Sequence, residues 1–201
     1  MTPDLDKLYR EALSRFDEVY ARAGKCGIAE PNAMNLATVD AHGRPSSRVV
    51  LLKDYDERGF VFYSNHNSRK GQNIAAVPRA ALCFYWEPLL EQVRIEGSVE
   101  TVSEQEADAY WATRPRNSQI GAWASQQSEP LDSSAALERR ILEIAQRYHG
   151  QTVPRPSYWC GYRVVPEMIE FWRGGEYQHR IHERTCYRWQ AKGWKVNLLN
   201  P

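Results

Sequence analysis

Neither sign of charge is in excess in this 201-residue chain: 26 Lys and Arg stand against 25 Asp and Glu, a formal net charge of +1. A broad nucleic-acid or membrane-binding surface needs a large basic excess, so the balance argues against both partners and makes any anion site local. No apolar stretch approaches the length of a membrane span, and the opening MTPDLDKLYREAL lacks the apolar core of a signal peptide. The four cysteines (Cys26, Cys83, Cys160, Cys186) include no Cys-x-x-Cys pair. A disulfide framework and a zinc site are therefore not expected, and reduced thiols in a cytoplasmic protein are. Also missing are internal repeats, a Gly-x-Ser-x-Gly elbow, a nucleoside-triphosphate phosphate loop and the dinucleotide glycine fingerprint. Serine-nucleophile catalysis and triphosphate hydrolysis thus lack support.

What is present is an ordinary hydrophobic share of 42%, sufficient for one domain with a core. Aromatics are plentiful, with seven Trp and eleven Tyr. They suit core and interface packing, or a flat ligand held among rings.

Leu5, Leu8, Tyr9, Leu13, Phe16, Val19 and Tyr20 recur at helical spacing, which predicts an amphipathic helix over about 4–23. A strand-rich block follows. Ala33–Val39 and Ser47–Lys53 flank the hairpin signal Asp40-Ala41-His42-Gly43. A turn at 54–59 leads to a strand at Phe60–Tyr63, then a helix over Asn67–Ala76 and strands at Arg79–Trp86 and Gln92–Val102. Ser103 and Glu106 have capping-box spacing, so a helix starts there, ends near Arg114-Pro115, and is followed by another at Leu131–His149. The final part reads as strands at Tyr158–Val165, Met168–Trp172, Thr185–Gln190 and Trp194–Leu198. Strands and helices do not alternate regularly, which argues against a doubly wound sheet. A mostly β fold, a small antiparallel barrel with inserted helices, fits better.

Four segments carry candidate chemistry. In Ser47–Lys53 an apolar middle reads as a buried strand with Arg48 and Lys53 near its ends, facing opposite sides by strict alternation. The cations either reach solvent or serve different ligands. Tyr63-Ser64-Asn65-His66-Asn67-Ser68-Arg69-Lys70 runs from a strand end into a helix start. Two cations there oppose the helix dipole unless an anion sits in front of them, so solvated charges and a phosphate site both remain open. In Tyr110–Gln119, Pro115 breaks the helix and leaves Arg114, Arg116 and Ser118 on a short connector. Arginine forks and hydroxyls there suit phosphate, or simply cap the helix. Phe171–Arg184 packs two His, three Arg and two Glu around a Gly-Gly turn. His179 and His182, three apart on a strand-turn-strand, face opposite ways, so no metal site is expected. Anion and ring recognition by Arg180 and His182 is the functional reading.

Taken together these segments resemble the pyridoxamine 5'-phosphate oxidase family. The pieces are RVVLLK (48–53), FYSNHNSRKG (62–71), EQVRIEG (91–97), YWATRPRNSQIGAWASQQS (110–128), IEFWRGG (169–175) and HRIHER (179–184). They stand in the family's order from about residue 5 to the end, and RPRNSQIGAW is the most specific.

The resemblance implies a single FMN-binding split β-barrel over residues 1–201, a homodimer with flavin mononucleotide (FMN) at the subunit interface. It implies oxidation of pyridoxamine or pyridoxine 5'-phosphate, with O2 as final acceptor and H2O2 as product. Carried onto matching positions, Arg48, Val49, Val50, Leu51, Leu52, Lys53, Tyr63, Ser64, Arg69, Lys70, Gln92, Gln127, Ser128, Trp172 and Arg184 hold FMN. Lys53, Tyr110, Arg114 and Ser118 meet the substrate phosphate, while Arg180 and His182 lie over the substrate ring and are the catalytic candidates. Three departures stand out. Tyr177-Gln178 is a two-residue insertion in the last hairpin, Glu91 replaces a frequent Arg, and the longer basic segment before the first helix is missing. Two rivals remain: a phenazine-biosynthesis type of FMN oxidase, and a module that binds flavin or pyridoxal phosphate without turnover.

Overall fold

The computed structural model describes residues 6–175 and 181–201. Helix α1 spans Lys7–Ala23, with Asp6 as its cap: the Asp6 carboxylate accepts from Leu8 N at 2.9 Å. The helix then buries Tyr9, Ala12, Leu13, Phe16 and Val19 against the sheet.

Strands β1 (Ala33–Val39) and β2 (Pro45–Leu51) form the expected hairpin, with Gly43 at φ 76 and Asp40 accepting from His42 N and Arg44 N. At the end of β2 the chain changes partner. Leu52 N donates to Asn32 O at 2.8 Å, but Lys53 N donates to Val61 O at 2.9 Å, across to β4. The short β3 (Asp54–Asp56) then continues along β4 (Gly59–Asn65). With β5 (Arg79–Trp86), β6 (Glu91–Thr101) and β7 (Trp159–Arg173), the order β2-β1-β5-β6-β7-β4-β3 closes on itself, because β2 and β3 are one run of chain. Phe16 of α1, fully buried, fills the interior and meets Phe60 and Tyr55 edge-on at 4.9 Å and Phe84 at 5.4 Å.

The barrel is split at β7. Its first half pairs with β4 and its second with β8 (Glu183–Gln190), which pairs in turn with β9 (Gly193–Leu198). The sequence reads as two strands here because Pro166 cannot donate to a ladder. Instead one 15-residue strand runs through, with an irregularity opposite Glu96 and Gly97. A Cβ on Gly97 would stand 1.9 Å from Val165 O, so the residue must be glycine.

Helix α2 (Arg69–Ala76) follows β4. Helices α3 (Glu104–Thr113), α4 (Arg116–Ala124) and α5 (Ser134–Arg147) lie between β6 and β7. Ser103 and Glu106 form the expected capping box. The expected connector at 114–118 is corrected: Pro115 is the cap of α4, so Arg116 and Ser118 are helical. Proline breaks the preceding helix yet suits the start of the next, where no N–H is needed. The expectation of a buried β2 is also revised, since Val49 is 67% exposed and Val50 and Leu51 are half-buried. Among the described residues no helix is long and apolar enough to cross a membrane.

Candidate functional site

Strand β4 ends at the first site. Its Ser64 is buried, and its Tyr63 ring is half-exposed. The turn that follows caps α2 with Ser68, whose Oγ donates to Asn65 O at 2.6 Å. This cap curls Lys70 inward. Only 8% of Lys70 is exposed, and its Nζ donates to Ser64 Oγ (3.0 Å), Ser68 Oγ (3.2 Å) and Gln127 Oε1 (3.0 Å). All three partners are neutral. Burial, and then the neighbouring Arg48, push the Lys70 amine down to about 8.

Arg48 is held by neutral oxygens as well: Leu36 O, Thr38 Oγ1 and Ser46 Oγ, at 3.1, 2.8 and 2.7 Å. Asn73 of α2 braces the same two hydroxyls. Burial, with repulsion from Arg69, lowers the Arg48 pKa. Among the described residues no carboxylate pairs with Arg48, Arg69 or Lys70. Three clustered cations, with Lys70 buried and Arg48 half-buried, call for an anion. Ser128 closes the group from 59 residues away, accepting from Arg69 N at 3.1 Å while holding φ 76, a left-handed conformation rare for serine.

A cavity of about 330 Å³ opens beside this cluster, lined by Tyr63, Ser64, Gln127, Arg114, Ser118 and Trp159 among others. Tyr63 stacks on Tyr110 at 4.1 Å and on Trp159 at 5.0 Å, making an aromatic wall. Arg114 lies over Trp159 at 4.7 Å and Trp111 at 5.1 Å. Its Nη1 is buried without a partner, and burial lowers its pKa. A buried donor of this kind is costly unless a ligand satisfies it. The cavity therefore unites residues assigned separately from sequence to cofactor (Tyr63, Ser64, Gln127) and to substrate phosphate (Arg114, Ser118). Lys53 is exposed at the β2–β3 junction.

The remaining candidates lie elsewhere. Gln92 of β6 pairs in register with Trp172 of β7, and Trp172 with Arg184 of β8. The Trp172 ring meets His182 at 4.7 Å, and His182 Nδ1 accepts from Gly175 N at 3.5 Å. On β7, Tyr63 sits opposite Gly161, whereas Gln92 and Arg184 flank Trp172. That is about eleven residues away, on the order of 30 Å at the rise of an extended strand. One chain does not bring the two groups onto one mononucleotide. Arg180 and the Tyr177-Gln178 insertion lie outside the described residues. Among the described residues no cluster of His, Cys, Asp and Glu could hold a metal.

The family described as Pyridoxamine 5'-phosphate oxidase matches residues 22–148, and its Pyridoxine 5'-phosphate oxidase C-terminal dimerisation region matches 159–201. The chain belongs to the pyridoxamine 5'-phosphate oxidase family. It is 55% identical to the pyridoxine/pyridoxamine 5'-phosphate oxidase of Myxococcus xanthus over 95% of this chain and 92% of that one. The same identity holds to the enzyme of that name from Alkalilimnicola ehrlichii, over 97% of this chain and all of the other. Among solved structures, PhzG from Burkholderia lata, in complex with tetrahydrophenazine-1-carboxylic acid, superposes with a TM-score of 0.89 at 30% identity, covering 99% of this chain and 98% of that one.

FMN is the family's cofactor, and the residues present fit it. A phosphate suits the cluster of Arg48, Arg69 and Lys70, which meets no carboxylate among the described residues, and a planar ring suits the aromatic wall. Sequence reasoning missed Ser68, Thr38, Ser46 and Asn73, which hold the cations in place. It also missed Trp159, one end of the aromatic wall centred on Tyr63, and Glu170, an acid inside the apolar run IEFW. A charge within an apolar run is itself a signal of a buried pair.

Proposed function

We propose that this chain, as a single FMN-binding split-barrel domain, oxidises pyridoxamine 5'-phosphate and pyridoxine 5'-phosphate to pyridoxal 5'-phosphate. O2 is the acceptor, H2O2 the product, and the working form is a homodimer with FMN at the interface. One observation carries the reading. Ser64 and Gln127, which accept from the buried Lys70 amine, line one cavity with Arg114, whose buried Nη1 has no partner, so two phosphate-type sites stand side by side. A phosphorylated cofactor beside a phosphorylated substrate needs that arrangement.

Arg48, Arg69 and Lys70, with Ser64, Gln127 and Ser128, hold the anionic end of FMN, and the backbone of Val49–Leu52 borders it. Lys53, Tyr110, Arg114 and Ser118 take the substrate phosphate. Gln92, Trp172 and Arg184 reach the same flavin from the second copy, because within one chain they lie at the far end of β7. The match of residues 159–201 to a dimerisation region supports this. FMN supplies the two-electron acceptor that no side chain offers. The protein binds, orients and excludes water. His182, with Nδ1 accepting from Gly175 N, keeps Nε2–H as a donor toward the substrate ring, and Arg180 joins it there. Four unpaired cysteines fit the reducing cytoplasm.

The phenazine-type rival shares the fold at 30% identity, against 55% for the phosphovitamer oxidases. A non-phosphorylated ring would also leave Arg114 Nη1 unsatisfied. The test is direct. Protein incubated with FMN and desalted should stay yellow and convert both phosphovitamers to the aldehyde. Protein that retains no flavin, or retains it and forms no aldehyde, refutes the reading.

A further inference from the structure

We infer that Glu170 is a positioning residue that fixes Arg184 as a neutralised, directional hydrogen-bond donor in the flavin site. The inference rests on the placement of Arg184 in that site proposed above. Glu170 stands on β7 two residues before Trp172 and is 4% exposed, although it is an acid in the apolar run Ile169–Trp172. Arg184 of β8, the register partner of Trp172, reaches diagonally to it. Its Nε donates to Glu170 Oε1 and its Nη2 to Oε2, both at 3.1 Å. This fork-on-carboxylate contact fixes the plane of the guanidinium, not merely its position.

Two further contacts complete the grip. Arg184 Nη1 donates to Asn200 O at 3.0 Å, while Leu199 N donates to Arg184 O at 2.9 Å. From the other side, Arg94 of β6 donates to Glu170 Oε2 at 3.4 Å and pairs with Glu96 at 2.6 Å. The network of Arg94, Glu96, Glu170 and Arg184 holds two positive and two negative groups, so its formal charge is zero. A guanidinium has five N–H bonds. Three are engaged by Glu170 and Asn200, and the others remain for a ligand. Arg184 thus differs from Arg48 and Lys70. Those cations meet only neutral partners and attract an anion, whereas Arg184 arrives with its charge already balanced and offers aimed donors. Loss of Glu170 would free the side chain to rotate and add uncompensated positive charge.

A double-mutant cycle separates positioning from general support of the fold. FMN affinity is measured by fluorescence quenching for the full chain and for Glu170→Gln, Arg184→Ala and the double variant, with the circular dichroism of the bound flavin recorded for each. Each single change is expected to weaken FMN about tenfold, the factor for losing one well-placed charged hydrogen bond. The double variant should be no weaker than Arg184→Ala alone, and Glu170→Gln should alter the flavin dichroism in the presence of Arg184 only. Should Glu170→Gln fail to fold, Glu170→Asp takes its place in the cycle, keeping the charge but too short to hold both guanidinium nitrogens. Factors that multiply, or a Glu170 variant with unchanged affinity and dichroism, overturn the inference while leaving Arg184 in the site. Unchanged affinity in Arg184→Ala instead overturns the underlying placement, and the inference with it.

Discussion

Lys70→Met should stabilise the flavin-free protein while weakening FMN binding. In the flavin-free chain the Lys70 amine is buried among Ser64, Ser68 and Gln127 with no carboxylate. Its pKa falls from 10.5 to about 8. A lysine depressed on folding is protonated in the unfolded chain but neutral in the folded one between those values. The unfolded state binds more protons there, so stability rises with pH from about 8 to about 10.5 and the penalty is fully present below 8. At about 1.4 kcal/mol per pKa unit, the penalty at neutral pH is of the order of 3 kcal/mol. Methionine removes it and strands little, because Ser64 Oγ still donates to Gln127 Oε1 and Ser68 Oγ to Asn65 O. The variant should therefore gain about 1–3 kcal/mol in denaturant unfolding at pH 7 and lose its pH slope between 8 and 10. FMN phosphate restores the lysine to its charged form, so FMN binding to the unaltered protein at pH 9 should take up a proton. Calorimetry in buffers of differing ionisation enthalpy measures that uptake. A destabilised Lys70→Met variant, or flavin binding at pH 9 without proton uptake, would refute the account of Lys70 as a desolvated cation waiting for an anion.

Arg114→Ala should raise KM for the phosphorylated substrates tenfold to a hundredfold, since a buried charged donor is lost, and should leave turnover of unphosphorylated pyridoxamine unchanged. Gly161→Ala would put a Cβ 2.6 Å from the Tyr63 ring and displace it from its stack on Tyr110 and Trp159. A stability loss of about 1–3 kcal/mol with a raised KM is expected in melts and steady-state kinetics. Mixed unfolded and refolded chains carrying Lys70→Met and Trp172→Ala, each inactive alone, should regain about a quarter of full activity, because half the dimers carry one intact site. No recovery would mean that each site is built within one chain. Ser103→Ala should cost about 1 kcal/mol by removing the α3 capping box, with kinetics unaltered.

Local signals were read directly from the residues. The Asp40–Gly43 hairpin, the Ser103–Glu106 capping box and the stripe of α1 are set by contacts within a few positions, and all three stand as expected. Helix α4 was missed because Pro115 acts as both a stop and a start. The unity of β7 was missed because the irregularity that accommodates Pro166 depends on Gly97, a residue of another strand. Closure of the barrel turns on the step from Leu52 N, which donates to Asn32 O beside β1, to Lys53 N, which donates to Val61 O of β4, and no pattern within β2 records it. For the site, residue types could be read but not their meeting. Gln127 and Lys70 are 57 positions apart, and local sequence left the cations of 69–70 equally readable as solvated. Only the family likeness ordered those pieces in advance. The protonic state of Lys70 and the partnerless Arg114 donor come from burial, which the sequence does not print.

Oxygen consumption by the FMN-loaded protein is the decisive measurement. With pyridoxamine 5'-phosphate or pyridoxine 5'-phosphate it should consume one O2 and release one H2O2 for each pyridoxal 5'-phosphate formed, with far weaker turnover of the unphosphorylated vitamers. A flavin-loaded protein that consumes no oxygen with either phosphate, or prefers the unphosphorylated ring, would contradict it.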